Sequence, residues 1–181
     1  MAPSSLSSQR TASRKILCGI DGSERSARAA DAAIELARNL GAELTFGMVN
    51  PRLAARAAIL YVWHDAHIAG ILEKAVRRAL WRGVASVGSA TWHAESVSDA
   101  LAEYADRNEF DYIVIGAGER SGWTRILGDS VAYELPAKAN RPVLVVNHLH
   151  GEAPTERGGG LRDVFEIQPA LAPRLVPAKS R

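Results

Sequence analysis

The 181-residue chain has a single cysteine, Cys18, so it can form no internal disulfide, and no Cys/His group shows zinc-ligand spacing. A fold without staples or a structural metal is expected, in a reducing compartment. Charge of one sign is also scarce. The 22 Lys+Arg and 20 Asp+Glu leave a formal net charge of +2, too little for the broad basic face with which a duplex-binding protein displaces counterions. No run approaches the roughly 18 apolar residues that a membrane-spanning helix needs, and the first dozen residues are serine-rich, without the apolar stretch of a signal peptide. The expectation is a cytoplasmic protein that engages neither nucleic acid nor membrane. What the chain does have is apolar bulk: 47% of its residues are hydrophobic and 23% charged, which suits one compact domain with flexible ends.

Residues 1–14 are small, polar and aperiodic, and read as a disordered tail. Residues 148–181 carry Gly158-Gly159-Gly160, several prolines and one short apolar patch around Val164, Phe165 and Ile167, and read as a mostly flexible extension. The domain spans residues 15–147. Within it apolar runs alternate with helical patterns, the signature of βαβ units on a parallel sheet. Strands are expected at 15–20, 42–49, within 84–95, at 111–115 and at 142–146. Helices are expected at 24–40, with Gly41 as C-cap, at 63–82, at 99–108 behind a Ser98 cap, and at 130–139. Asn50-Pro51 should stop the second strand, and the alanine-rich 52–61 stays unassigned. Pro136 should kink or break the last helix. The result is an α/β fold, an open five-stranded parallel sheet with helices on both faces; a strand order of 3-2-1-4-5 would make strands one and four neighbours.

Such sheets bind small ligands outside the carboxyl ends of their strands, where the order reverses. Two loops qualify: Asp21-Gly22-Ser23 after strand one, and the stretch from Gly116 and Gly118 to Gly128, Asp129 and Ser130 after strand four. With strands one and four adjacent, the loops should face each other. Glycines without a β-carbon let backbone amides approach an anion, and the amino end of the next helix adds partial positive charge. Ser130 can donate to a phosphate oxygen. The same residues also make an ordinary surface turn with a capped helix. Asp21 likewise either accepts from a ribose hydroxyl, helps hold a divalent metal, or only shapes a strand-to-helix turn.

The blocks ILCGIDGSERSARAADAAIELARNLGAELT and DYIVIGAGERSGWTRILGDSVAYELPAKANRPVLVV resemble the universal stress protein family, and the match extends over nearly all of residues 15–147. The resemblance implies the adenine nucleotide alpha hydrolase-like fold, a homodimer through the last strand (142–146), and in one branch a bound adenine nucleotide, ATP above all, with or without Mg2+. That branch carries the motif G-x2-G-x9-G followed by Ser or Thr. The implied binding residues are Asp21, Gly22, Ser23, Val49, Gly116, Gly118, Gly128 and Ser130. Val49, at the end of strand two, would address adenine through its backbone, or is simply a core valine.

The motif is imperfect. Counted from Gly116, its second and third glycines fall on Glu119 and Asp129, whereas Gly118 and Gly128 keep the interval one position earlier. Unit charges at ~4 Å repel by about 4 kcal/mol at an effective dielectric near 20, so Arg120, Arg125 or Mg2+ would have to offset the two carboxylates. The alternative is an interaction module of the same fold that binds no nucleotide. No catalytic residue is expected, since no positioned base or nucleophile is visible, and any ATP hydrolysis should be slow. An ATP-pyrophosphatase would need a Ser-Gly-Gly-x-Asp-Ser loop where Asp-Gly-Ser stands. A phosphoryl-receiver domain would need a lysine near Asn147.

The remaining polar and aromatic residues carry little signal. His64, His67 and His93 read as solvated or capping, and His148 and His150 belong to the extension. Trp63, Trp81, Trp92 and Trp123 read as packing or dimer contacts. Arg77, Arg78 and Arg82 read as a wet helix face, and Cys18 as an inert buried thiol.

Overall fold

The computed structural model of the chain describes residues 13–55, 58–117, 131–147 and 175–177, with 53–55, 58–60 and 175–177 given as backbone. Five strands form a parallel sheet: β1 (Lys15–Gly19), β2 (Glu43–Ala55), β4 (Val87–Ala94), β5 (Tyr112–Gly116) and β6 (Val143–Val146). Their spatial order is β4-β2-β1-β5-β6, the expected 3-2-1-4-5. Registers such as Cys18↔Phe46 and Cys18↔Val114 put β1 at the centre.

Alternation along β1 sends its side chains to two cores. Ile16, Cys18 and Ile20 face α1 (Glu24–Leu40) and α2 (Asp65–Trp81), where Ala29, Ala30, Ala33 and Ile34 pack with Ile68, Leu72 and Ala75. Leu17 faces the other way with Ile113 and Ile115, toward α3 (Val97–Arg107) and Leu135 of α4 (Val131–Lys138). The small residues of α1 let its axis come close to the sheet. Ser23 caps α1 by accepting from the Ser26 N–H at 3.2 Å, and Gly41, at φ 59°, ends it in the left-handed conformation. Burial raises the pKa of the Cys18 thiol, and the Asp31 carboxylate raises it further, so the thiol is inert as expected.

Several expectations need correction. β2 does not stop at Asn50-Pro51 but continues to Ala55 and pairs antiparallel with β3 (Ala58–Tyr61), so the unassigned stretch is largely a hairpin. Pro51 sits at the last rung of the β4 ladder, opposite Ala94, where a missing donor ends a pairing instead of interrupting it. Asn50 is buried and uses its amide as a rung: Nδ2 donates to the Trp63 carbonyl at 2.8 Å and Oδ1 accepts from the Trp63 N–H at 3.1 Å. A short strand of the extension, β7 (Leu175–Pro177), pairs with β3 in the register Ile59↔Val176.

Ser96, not Ser98, caps α3, accepting from the Asp99 N–H at 3.2 Å. α4 runs through Pro136 to Lys138 without interruption. The proline lies in the last turn of a short helix and costs it one backbone bond, to Ala132. Arg78 and Arg82 are not a wet face. Arg78 reaches Asp31 of α1 at 2.5 Å and Arg82 reaches Glu35 at 2.5 Å, whereas Arg77 only pairs with Glu73 on its own exposed helix face. Burial lifts the pKa of Asp31 against the pull of both arginines, and hydrogen bonding from Arg82 lowers that of Glu35.

Trp92 stacks on Tyr104 with ring centroids 4.4 Å apart, Trp63 packs against the first core, and Trp81 stands 86% exposed. Trp123 lies outside the described residues. Among the described residues no helix is long and apolar enough to cross a membrane, and no group of His, Cys, Asp or Glu could hold a metal ion.

Candidate functional site

The order of the sheet reverses at β1: α1 and α2 follow β1 and β2 on one face, α3 and α4 precede and follow β5 on the other. The carboxyl ends of β1 and β5 are therefore neighbours with their connections leaving on opposite sides, which opens a crevice between them. Ile20 still belongs to the sheet, its N–H donating to the Gly47 carbonyl at 2.9 Å, and on the far side the Ala117 N–H donates to the Val146 carbonyl at 2.9 Å.

Between them the chain turns sharply. Asp21 Oδ1 accepts from the Ser23 N–H at 2.9 Å and from the Ser23 hydroxyl at 2.5 Å, a side-chain-closed turn. Gly22 takes φ +79°, and a β-carbon there would lie 2.7 Å from Ile71 Cδ1. The positive φ favours glycine at this position, and a β-carbon would also displace the tip of the Ile71 side chain. Asp21 Oδ2 faces Arg25 Nη2 at 3.8 Å, and the Asp21 side chain is 40% exposed. An ionised carboxylate has about four lone-pair sites, so after shaping the turn it keeps acceptor capacity toward solvent.

Gly116 brings the two loops together. A β-carbon on it would come within 2.6 Å of the Arg25 carbonyl carbon and closer still to its oxygen. The end of β5 therefore lies directly against the first turn of α1, about ninety residues away in sequence. The absent β-carbon makes room for α1 at this position, a packing role that sequence reasoning did not assign to it.

Val49 is 6% exposed and packs in the core on the α3 side, so only its backbone remains for a ligand. Its register partner is Trp92. Asp21, Gly22, Ser23 and Gly116 are thus brought to one edge of the sheet, with Val49 two residues past the last β1–β2 pair; it does not end β2, as expected from sequence, because that strand continues to Ala55. Gly118, Gly128 and Ser130 lie outside the described residues, as do Glu119, Asp129, Arg120 and Arg125. Two contributors were missed from sequence. Arg25 is 13% exposed in its side chain, and its spacing of four from Asp21 on the entry to a helix was the available signal. Asn50 braces β2 just past its pairing with β1, and nothing in its local sequence announced a buried amide.

The crevice holds, on described residues, a carboxylate, a helix amino end and a guanidinium. This donor set fits the sugar side of a nucleotide: the carboxylate can accept from hydroxyls, and the helix end favours negative charge beyond it. It offers no base aimed at a nucleophile.

Comparison with known proteins is consistent with this geometry. A family model described as the universal stress protein family matches residues 12–147. No curated protein matches the chain. Among solved structures, a universal stress protein in complex with cAMP is 25% identical, with a TM-score of 0.56 over 74% of this chain and 96% of that one. A protein of the same family from Burkholderia pseudomallei is 26% identical, with a TM-score of 0.54 over 73% of this chain and 94% of that one. A universal stress protein from Archaeoglobus fulgidus in complex with dAMP is 25% identical, with a TM-score of 0.53 over 74% of this chain and 96% of that one.

Proposed function

The chain belongs to the universal stress protein family, and from that premise we propose that it binds an adenine nucleotide, ATP in the first instance, and acts as a dimeric regulatory module in the cytoplasm. The nucleoside would lie at the carboxyl ends of β1 and β2, with Asp21 accepting from the ribose hydroxyls and the Val49 backbone addressing adenine. The phosphates would extend toward the amides of the 116–130 loop and the Ser130 hydroxyl, and Mg2+ would offset Glu119 and Asp129. The bound nucleotide would supply charge and shape to this surface, so that occupancy alters which protein the module engages. The observation that supports the reading is the abutment of Gly116 on the first turn of α1, which brings the end of β5 beside the Asp21 turn.

The dimer would form through β6, the outer strand of the sheet. Among the described residues its outer backbone edge has no strand partner, which invites a second copy, and Leu144 on it is exposed.

Mass spectrometry of the protein purified without added nucleotide, followed by a thermal shift with ATP and Mg2+, tests the reading. A ligand that binds only the folded state must raise stability, by about 2.7 kcal/mol at a hundredfold excess over Kd. Retained adenine nucleotide or a clear upward shift is expected. No retained nucleotide and no shift at millimolar ATP would instead favour the module that binds none, the outcome to which the acidic residues at 119 and 129 point.

A further inference from the structure

The parallel sheet has two ends. β6 at one end is 4 residues long, whereas β4 at the other is 8 residues long and pairs with β2 throughout, from Leu44↔Val87 to Pro51↔Ala94. Among the described residues no strand pairs with the outer edge of β4. Sheet edges are ordinarily blunted by charged side chains, proline, bulges or brevity. β4 has none of these: its sequence VGSATWHA carries no Lys, Arg, Asp, Glu or Pro, and its register with β2 runs without a bulge.

The direction of its backbone groups follows from one bond. The Leu44 N–H donates to the Ser86 carbonyl at 3.0 Å, so Ser86 turns its backbone toward β2. Successive strand residues turn their N–H and C=O to alternate sides. Gly88, Ala90 and Trp92 therefore also face β2, and Val87, Ser89, Thr91 and His93 aim their backbone groups outward. Side chains alternate between the two faces of the sheet. Val87 packs on the core of α1 and α2 and Trp92 on the core of α3, which puts Ser89, Thr91 and His93 on the first face and Gly88 and Ala90 on the second. Gly88, Ser89, Thr91 and His93 are exposed. Trp92 leans inward: a β-carbon on Gly47 would lie 2.9 Å from its Cη2, and its ring stacks on Tyr104. The outward backbone is thus left accessible.

An apolar flank continues the edge on the first face. α2 packs on β2 and β4 and turns Arg78 and Arg82 toward α1. At about 100° per residue, Val76 and Leu80 stand roughly 160° round the helix from Arg78 and Arg82 respectively, on the flank away from α1 and toward the open edge. Leu80 is 51% exposed.

We propose that the outer edge of β4 is a self-association surface on which a second copy of this chain lays its own β4, antiparallel, about a twofold axis through Ala90. That register sets Val87 against His93 and Ser89 against Thr91 of the other copy, so every outward residue of both strands exchanges hydrogen bonds; a shift either way leaves some of them without a rung. Ser89 and Thr91 make a favourable hydroxyl pair. On the other face Trp92 comes opposite Gly88, whose missing side chain leaves room for the indole. No like charges meet along the strand, and the axis brings Val76 and Leu80 of both α2 helices to one side of the joint. The inference goes beyond the reading above: it needs no nucleotide, and its edge lies at the opposite end of the sheet from β6.

The test is sedimentation velocity on the full-length protein over a wide concentration range, in wild type and with Leu144→Glu, which charges the β6 edge. Thr91→Pro, Ser89→Glu and Thr91→Lys are each added to both, with circular dichroism melts as the fold control. The Leu144→Glu protein should still dimerise. Thr91→Pro, which deletes an outward N–H that the sheet itself does not use, should weaken that dimer at least about tenfold. Ser89→Glu and Thr91→Lys should each dimerise weakly alone, and their equimolar mixture about fivefold more tightly than either, because the twofold register sets position 89 of one copy against position 91 of the other. Misfolded variants could not recover on mixing. In wild type the same single substitutions should remove every species larger than the β6 dimer. Monomers at every concentration with Leu144→Glu, a dimer indifferent to Thr91→Pro, or a mixture no tighter than its components would each overturn the proposal.

Discussion

α1 and α4 both begin at the carboxyl edge of the sheet, on either side of the proposed crevice, yet different physics holds them there. α1 has 17 residues, buries seven of them, and is capped at both ends. Arg78 and Arg82 tie it to α2. α4 has eight residues, one of them buried, and leans on a cluster of serine, carboxylates and lysine. Apolar contact is non-directional and spread over many atoms, so α1 can shift only by disturbing the whole core. A polar clasp is directional and rests on few atoms, so a single substitution can release it. The turn that carries Asp21 therefore leads into a helix built into the core, whereas α4 rests in part on contacts that one substitution removes.

The largest test of this contrast is a pair of core truncations. Ile34→Ala on α1 should cost about 4 kcal/mol, since the surrounding helices cannot collapse into the cavity, and Leu135→Ala on α4 only about 2 kcal/mol, since a short helix can settle. Urea denaturation midpoints measure both, and equal costs would break the comparison. A smaller effect is expected at the entry to α1. Ser23→Ala removes the cap that accepts from Ser26 and the hydroxyl donor to Asp21, and should cost about 1 kcal/mol while leaving the methyl resonances of Leu135 in place. Movement of Leu135 in that variant would mean that the two halves are mechanically one.

The smallest effect is a pH window that separates the helices. Lys138 has its pKa raised above the ordinary 10.5, so its contribution is complete below that value and is lost as pH rises through the raised one. The ties of α1 use guanidinium groups that stay charged. Methyl NMR across alkaline pH should show Leu135 shifting while Ile34 holds. Acid acts on both helices. Glu35 of α1 and Asp99 of α3 both have lowered values, so each contributes above the ordinary carboxylate range and loses that contribution as pH falls through its folded value. A concerted shift of Ile34 and Leu135 at high pH would argue against the separation.

Much of the scaffold was legible because short-range signals agree with one another. The helical spacing of Ala29, Ala33, Ile34 and Ala37 between Ser23 and Gly41 marks α1 with both caps, and the DYIVI run marks β5 to within a residue. The hairpin after Val49 was not legible, because Asn50-Pro51 is a stop signal locally and becomes a strand only when Trp63 accepts the Asn50 amide from thirteen residues away. Ser98 looked like a cap for a related reason: serines stand on both sides of the first residue of α3, and only the presence of Glu134 on another helix decides which one turns inward. In the site, the turn chemistry of Asp21, Gly22 and Ser23 was readable from the residues. The meaning of Gly116 was not, since its missing β-carbon answers to Arg25, a residue distant in sequence.

Local patterning alone thus determined the five parallel strands and the helices between them, because each depends on residues within one helical turn or one strand of each other. Only the tertiary structure decided which glycine yields to a helix, which serine caps and which one clasps, and which arginines leave solvent, because these outcomes depend on what arrives from the far end of the chain once the sheet has closed.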